Sequence, residues 1–491
     1  MVDHLDVRTG MYADSVSLMQ VSRRVSDTDG VDTALVAMAS ELNLELLEGM
    51  GFARPDAGPN DLVIAVRGVD DTAVTAALNE LEAALAAASG GADAGGFGDA
   101  PPPRTVRDAA ALGGQLALIS TPGEHAFVEA VDALHAGLHV MVFSDNVPLE
   151  HEVALKREAG ERGLLVMGPD AGTAIVSGVG LGFANVVAPG PVGIVAASGT
   201  GAQQLSSLLD DAGVGVSHVL GVGGRDLKAA VAGRSTVQAL HALDADPQTE
   251  LIVLLSKPPD EAVAATVREV AGSLSTPVVL GLLGPTEDDL TGVAVAAVRA
   301  LGRDEPAWAT WGTAPDAGGQ PGRLVGLFAG GTLCAEALLV AEARLGPVAS
   351  NIAADPQLRL HGQLTADGHV LLDLGEDEYT LGRPHPMIDQ QLRLERIAAE
   401  AERDDTRVVL LDVVLGHGAH PDPAGELAPA IAAARRTATD DGRELTVVVS
   451  VCGTVDDPQR RDRQAEQLAE AGAYVTASNA QAARAAVGVL A

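Results

Sequence analysis

Two turns in this sequence carry the strongest chemical signal. The apolar run VGIVAA (192–197) leads into Ser198, Gly199, Thr200 and Gly201, and LVGLFA (324–329) leads into Gly330, Gly331 and Thr332. A helix-forming segment follows each. After a parallel strand, glycine lets the chain turn tightly and approach a ligand closely. The helix beyond it offers unpaired N–H groups and the positive end of its dipole, which suit a phosphate or carboxylate without any lysine. The competing role is plain helix capping by Ser198, Thr200 and Thr332. The occurrence of two equivalent turns favours the anion, because paired sheets can aim both helix ends at one point.

Other side chains stand at strand ends where open sheets bind ligands. Arg225 and Asp226 lie in GVGGRDL (221–227); the arginine can fork onto an oxyanion or simply pair with its neighbour. Lys257 is one of only three lysines, with Lys156 and Lys228, and precedes Pro258 and Pro259. Arg383, His385 and Asp389 share GRPHPMID (382–389), a proline-stiffened loop expected after a hairpin in HVLLDLGEDEYTLG (369–382). His385 suits acid–base work or anion donation, or else serves the loop. His417 and His420 follow VVLLDVV (408–414) and read as ligand contacts or as surface histidines. Asp412 and Asp422 nearby are too weak a set to assign a metal. The pairs Asp288/Asp289 and Asp456/Asp457 read as first-turn helix acids. Cys334 and Cys452 make no CxxC and no disulfide framework, and read as small buried hydrophobes.

The elements that must position these residues follow from periodicity. Strands are expected at Leu5–Tyr12, Thr33–Ala39 and Asp61–Arg67. Helices are expected at Ser15–Ser26, Glu41–Glu48 and Thr72–Ala88. Together they make a small α/β domain (1–88), for which a ferredoxin-like plan is one solution. The stretch SGGADAGGFGDAPPP (89–103) reads as a flexible linker. Residues 104–188 repeat strand, helix, strand: LALIS (116–120) as a buried strand, Gly123–Ala136, Leu138–Ser144, Leu149–Arg162 and Leu164–Met167. That is a Rossmann-like segment with a parallel sheet. Segments 189–300 and 323–491 follow one plan, joined by 301–322. Each opens with a strand and a Gly-Thr turn. Each then offers a strand ending in a loop (251–260 and 408–418) and a strand leading to Gly, Thr and two acids (278–289 and 446–457). Three landmarks in one order argue for duplication into two flavodoxin-like sheets.

Bulk composition narrows the function. The chain of 491 residues has a net charge of −35 and a pI near 4.5, a field that repels nucleic-acid backbones. Aromatics are 2% of the chain, too few for base-stacking platforms, while 47% apolar residues supply Ala/Val/Leu cores. The N-terminus lacks a basic region followed by an apolar run, and no apolar run is long enough to span a bilayer. A cytoplasmic protein without nucleic-acid or membrane partners is expected. The acidity is compatible with a salt-adapted host or with a high-GC genome.

The motifs resemble known proteins. MGPDAG (167–172), followed by VGIVAASGTG, is similar to the GPN–CPG and SGT elements of succinyl-CoA synthetase α subunits. The strings DSVSLM (14–19), MVFSDNVPLE (141–150), MGPDAGTAI (167–175), ASGTGAQ (197–203), GVGGRDL, SKPPDEA (256–262), LGRPHPMID (381–389) and LLDVVLGHGA (410–419) resemble the FdrA family over almost the whole chain. The resemblance implies a Rossmann-like CoA-binding-type domain with Gly168, Pro169 and Asp170 on a substrate or cofactor. It also implies two helix N-termini converging on a phosphoryl group, here within one chain. It carries over no phosphohistidine: the matching loop reads GPTEDDLTG (284–292), and no ATP-grasp segment or GxGxxG turn is found. The family implies acyl-CoA synthesis or, with partner subunits, carbamoyl transfer to oxamate in allantoin breakdown. CoA or carbamoyl phosphate is the small molecule implied, acting in a hetero- or homo-oligomer. The readings are therefore carbamoyl or acyl transfer from an acyl phosphate, NDP-forming acyl-CoA ligation, and a non-catalytic scaffold.

Overall fold

The computed structural model describes residues 1–11, 13, 15–89, 103, 105–380 and 383–491. Most of the stretch read as a linker, 90–102, lies outside the described residues. The chain divides into two compact units, residues 1–114 with 120–129, and residues 115–119 with 130–491.

The first unit holds an antiparallel sheet in the order Val2–Arg8, Leu62–Gly68, Val31–Met38. Helices Ser15–Ser26, Glu41–Gly49 and Asp71–Ser89 accompany it. Among the described residues the order, with the third strand central, is that of a ferredoxin-like sheet without its fourth strand. Leu18, Val21, Val25, Ile64 and Leu81 form its core. The first strand runs Val2–Arg8 rather than Leu5–Tyr12. Every residue from Val2 to Arg8 pairs with the central strand, and Thr9 and Gly10 then turn the chain.

Among the described residues, the second unit contains three sheets. Leu116–Ile119, His139–Val142 and Val166–Met167 form a parallel one. LALIS is not a buried strand: it lies at the sheet edge, and Leu118 is 45% exposed. The hairpin Thr173–Val176 and Val179–Gly182 joins the next sheet, antiparallel to Val216–Gly221.

The two large sheets repeat one topology. In the first, parallel strands run in the order Val278–Leu282, Leu251–Ser256, Pro189–Ala197, Val216–Gly221. In the second, Thr446–Cys452, Thr406–Val414, Arg323–Phe328 and Val370–Asp373 take the same places, with Tyr474–Thr476 added outside. In each sheet the order reverses beside the strand that carries the Gly-Thr turn, the position where doubly wound sheets bind ligands. Among the described residues no hairpin precedes GRPHPMID. Val370–Asp373 instead pairs in parallel with Arg323–Phe328, and a short helix, Asp377–Thr380, follows.

The halves share one core. Helix Gly199–Asp211 buries Leu205, Leu208 and Leu209 completely and packs on helix Gly331–Leu345, where Leu333 and Ala337 are also inaccessible. Each such leucine contributes about 1.5–3 kcal/mol through burial, so the two helices are anchored well behind their N-termini.

Candidate functional site

The paired turns meet. Ser198 caps the first helix by accepting from the Gly201 amide at 3.0 Å, and its Oγ lies 2.5 Å from Thr332 Oγ1 on the second. The contact is reciprocal. A Cβ on Gly201 would sit 3.0 Å from Thr332 Cγ2, and one on Gly330 would sit 3.0 Å from Thr200 Cβ. Glycine on each helix thus makes room for threonine on the other, and two positive dipole ends converge. The amides of Gly199, Thr200, Gly331 and Thr332 find no acceptor among the described residues. The Gly330 amide is already used: with that of Ala329 it donates to Asp412, each at 2.7 Å. Asp412 is fully buried, pairs with Arg393 at 3.0 Å, and has its pKa raised by that burial.

Lys257, following strand Leu251–Ser256, completes the cradle. A Cβ on Gly331 would stand 3.0 Å from Lys257 Nζ and 2.4 Å from Asp373 Oδ2. The ammonium has no ion-pair or hydrogen-bond partner among the described residues. It stands within the field of two carboxyls. Burial pushes Asp373 up to about 7, with Lys257 opposing the shift. Asp170 is also pushed up to about 7 by surrounding protein and by Asp145, against the pull of Lys257 and Arg225. Asp170 itself stays exposed at the end of the Gly168–Pro169 turn. Both carboxyls therefore exchange protons near neutral pH beside an unpaired cation. That arrangement can hold an anion and relay a proton.

Residues 327–489, which begin inside strand Arg323–Phe328, match the CoA-ligase family, and residues 1–101 match the AllF heavy metal-associated domain. That N-terminal span holds no cysteine. Protein YahF of Escherichia coli (strain K12) is 38% identical, over 96% of this chain and 96% of its own. The chain belongs to the FdrA family. Within it, this member is also similar to the α-2 subunit of ADP-forming succinate–CoA ligase of Archaeoglobus fulgidus, at 31% identity over 34% of this chain and 58% of that protein. The α subunit of malate–CoA ligase of Methylorubrum extorquens is 28% identical over 33% and 55%.

The remaining candidates of this FdrA member fall into two groups. His385 joins the site region: its Nε2 would lie 2.6 Å from a Cβ on Gly375, within the loop after Asp373. Burial and the charge of Arg393 lower its pKa to about 4, so the imidazole is neutral at pH 7, and Nδ1 accepts from the Met387 amide at 3.2 Å. Gly168 and Pro169 pack under the loop of Gly223 and Gly224, beside Asp170. Arg225 reaches Glu152 at 2.9 Å and the Val147 carbonyl at 2.8 Å rather than Asp226. Asp226 is completely buried, bonded to Lys156 at 2.8 Å, and caps helix Arg234–Asp244 through the amides of Ser235 and Thr236. Arg383 is exposed, and His417 is exposed on a loop whose amide bonds Ala184. His420 pairs with Glu426 at 3.1 Å. Asp289 stands just before helix Leu290–Ala300 rather than in its first turn, and caps it by accepting from the Gly292 amide at 2.9 Å. Asp457 is no first-turn acid either: it accepts from the Val186 and Thr454 amides and from Asn185, tying the two sheets together.

Sequence reasoning missed Asp373, weighed Asp412 only as a weak metal ligand, and gave Lys156 no role. The signal for the first two was an acid inside an apolar strand, HVLLD and VVLLD, where burial must be compensated. Lys156 had none beyond the rarity of lysine.

Proposed function

We propose that this chain binds an acyl phosphate at the paired helix termini and serves in transfer of its acyl group, with carbamoyl phosphate as donor and oxamate as acceptor, as a subunit in allantoin-nitrogen breakdown. The observation that carries this reading is the Lys257 ammonium, unpaired beside Gly331 and two free helix ends in a protein of charge −35. A cation left unpaired among so many acids fits a site whose partner is a ligand.

The chemistry asks little else of the protein. The acceptor nitrogen forms a bond to the carbonyl carbon, the carbon–oxygen bond to phosphate breaks, and phosphate departs with the electron pair. The amides of Gly199, Thr200, Gly331 and Thr332, with Lys257, stabilise the developing charge. Asp373 or Asp170, each near its pKa at neutral pH, takes the proton lost by nitrogen. A preformed acyl phosphate needs no phosphorylated histidine, and the loop 284–292 carries Glu287, Asp288 and Asp289 instead. Acyl-CoA ligation is the second reading, favoured by the CoA-ligase match over 327–489.

Incubating the full chain, alone and with its partner subunits, with carbamoyl phosphate and oxamate tests the proposal. Oxamate-dependent phosphate release is expected. Turnover only with ATP, CoA and a short carboxylic acid would establish ligation in its place.

A further inference from the structure

Thr173 is the described residue near the cradle that no other role explains. It begins strand Thr173–Val176 and is 3% exposed, yet its Oγ1 has no hydrogen-bond partner. A buried hydroxyl left unpaired is costly, and native structures seldom leave one without a reason. This hydroxyl is aimed at the start of helix Gly199–Asp211: a Cβ on Gly199 would lie 3.4 Å from Thr173 Oγ1, with the Thr173 amide and Gly172 Cα at 3.9 Å. The amides of Gly199 and Thr200, at the start of that helix, also lack acceptors among the described residues.

We propose that Thr173 is a third hydroxyl of the anion site, donating through Oγ1 to an oxygen of the bound phosphoryl group at the Gly199 helix terminus. The inference rests on the phosphate reading above and deepens it. A helix N-terminus concentrates donors and positive potential, so whatever completes the space between Gly199 and Thr173 must accept hydrogen bonds. A hydroxyl facing an acceptor turns its proton outward and becomes a donor. Ser198 and Thr332 are already bonded to each other and can lend only their remaining lone pairs or one proton. Thr173 has its whole hydrogen-bonding capacity free. Gly199 then has a further reason to be glycine, because a side chain there would cover the hydroxyl.

Titration calorimetry of the full-length protein with inorganic phosphate, on the wild type, Thr173→Val, Thr173→Ala and Thr173→Ser, tests this directly. Valine keeps the shape of threonine and removes only the hydroxyl. Roughly tenfold weaker phosphate binding is expected for the valine and alanine variants, the loss typical of one hydrogen bond to a charged group. Serine should stay within about twofold of wild type, and the valine variant should melt no lower than wild type without ligand. Valine or alanine binding phosphate as tightly as wild type would overturn the role of Thr173 while leaving the cradle intact. A wild type that does not bind phosphate would overturn both.

Discussion

Lys257 draws its importance from what it does not touch. A lysine in a field of acids normally finds a carboxylate within 4 Å, as Lys156 does twice. Replacing Lys257 with Met should weaken inorganic phosphate binding roughly 10- to 100-fold, the range for a charge-assisted contact of about 1.5–3 kcal/mol. Calorimetry would show it, and an unchanged affinity would remove the lysine from the site. Asp373 and Asp170 set the pH response. Both are largely neutral below about 7 and ionise above it, adding negative charge beside the anion. Phosphate affinity should therefore fall as pH rises through 7, and Asp373→Asn should flatten part of that fall. The same shifts act on stability. Because the folded pKa lies above the unfolded value of 3.8, their contribution is present below about 4 and is lost as pH rises toward 7. His385 does not titrate in that window, since its pKa lies near 4. Position in sequence marked His385 and Lys257 as candidates. The burial that, with Arg393, keeps the His385 imidazole neutral was not legible there, nor was the placing of Lys257 beside Asp373.

At the level of elements, the approach of two helix ends depends on glycine. Gly201 has Ser198 Oγ, Leu255 Cδ2 and Thr332 Cγ2 within 3.0 Å of where its Cβ would be. Gly201→Val should force the helices apart, at about 1–3 kcal/mol, typical of overpacking. Urea denaturation would measure that cost, with phosphate binding falling alongside. A native midpoint would show that the helices have slack there. The network at Lys156 is the structural counterpart. Its ammonium bonds Glu152 at 2.7 Å, Asp226 at 2.8 Å and the Val222 carbonyl at 2.9 Å, all buried. Lys156→Met would leave the buried Asp226 without a cation, while Glu152 keeps Arg225 at 2.9 Å, and should cost about 3–5 kcal/mol in chemical denaturation. The strings that resemble FdrA proteins include Asp226 in GVGGRDL, which the sequence alone left open between ligand and local pair. It proved to be neither, because its partners lie 70 residues upstream and in the following helix.

For the molecule as a whole, the net charge of −35 acts on every element at once. Self-repulsion weakens the compact state at low ionic strength, and salt screens it. Raising NaCl toward about 0.5 M should lift the melting temperature by at least about 2 °C, roughly 1 kcal/mol in a domain this large; a falling melting temperature would mean that the local ion pairs outweigh the global field. Sequence alone determined much here. Apolar runs of strand length, glycine-threonine turns behind them and the same landmarks twice in order specify parallel sheets and a duplication, because backbone hydrogen bonding and side-chain period are local properties. Only the tertiary structure decided what the turns face. Whether Ser198 meets Thr332, whether Gly330 keeps its amide or gives it to Asp412, and whether Lys257 finds a partner depend on how two sheets far apart in the chain pack together. No local pattern encodes that distance: contact across 134 residues is fixed by the shared core of leucines and alanines behind the helix ends.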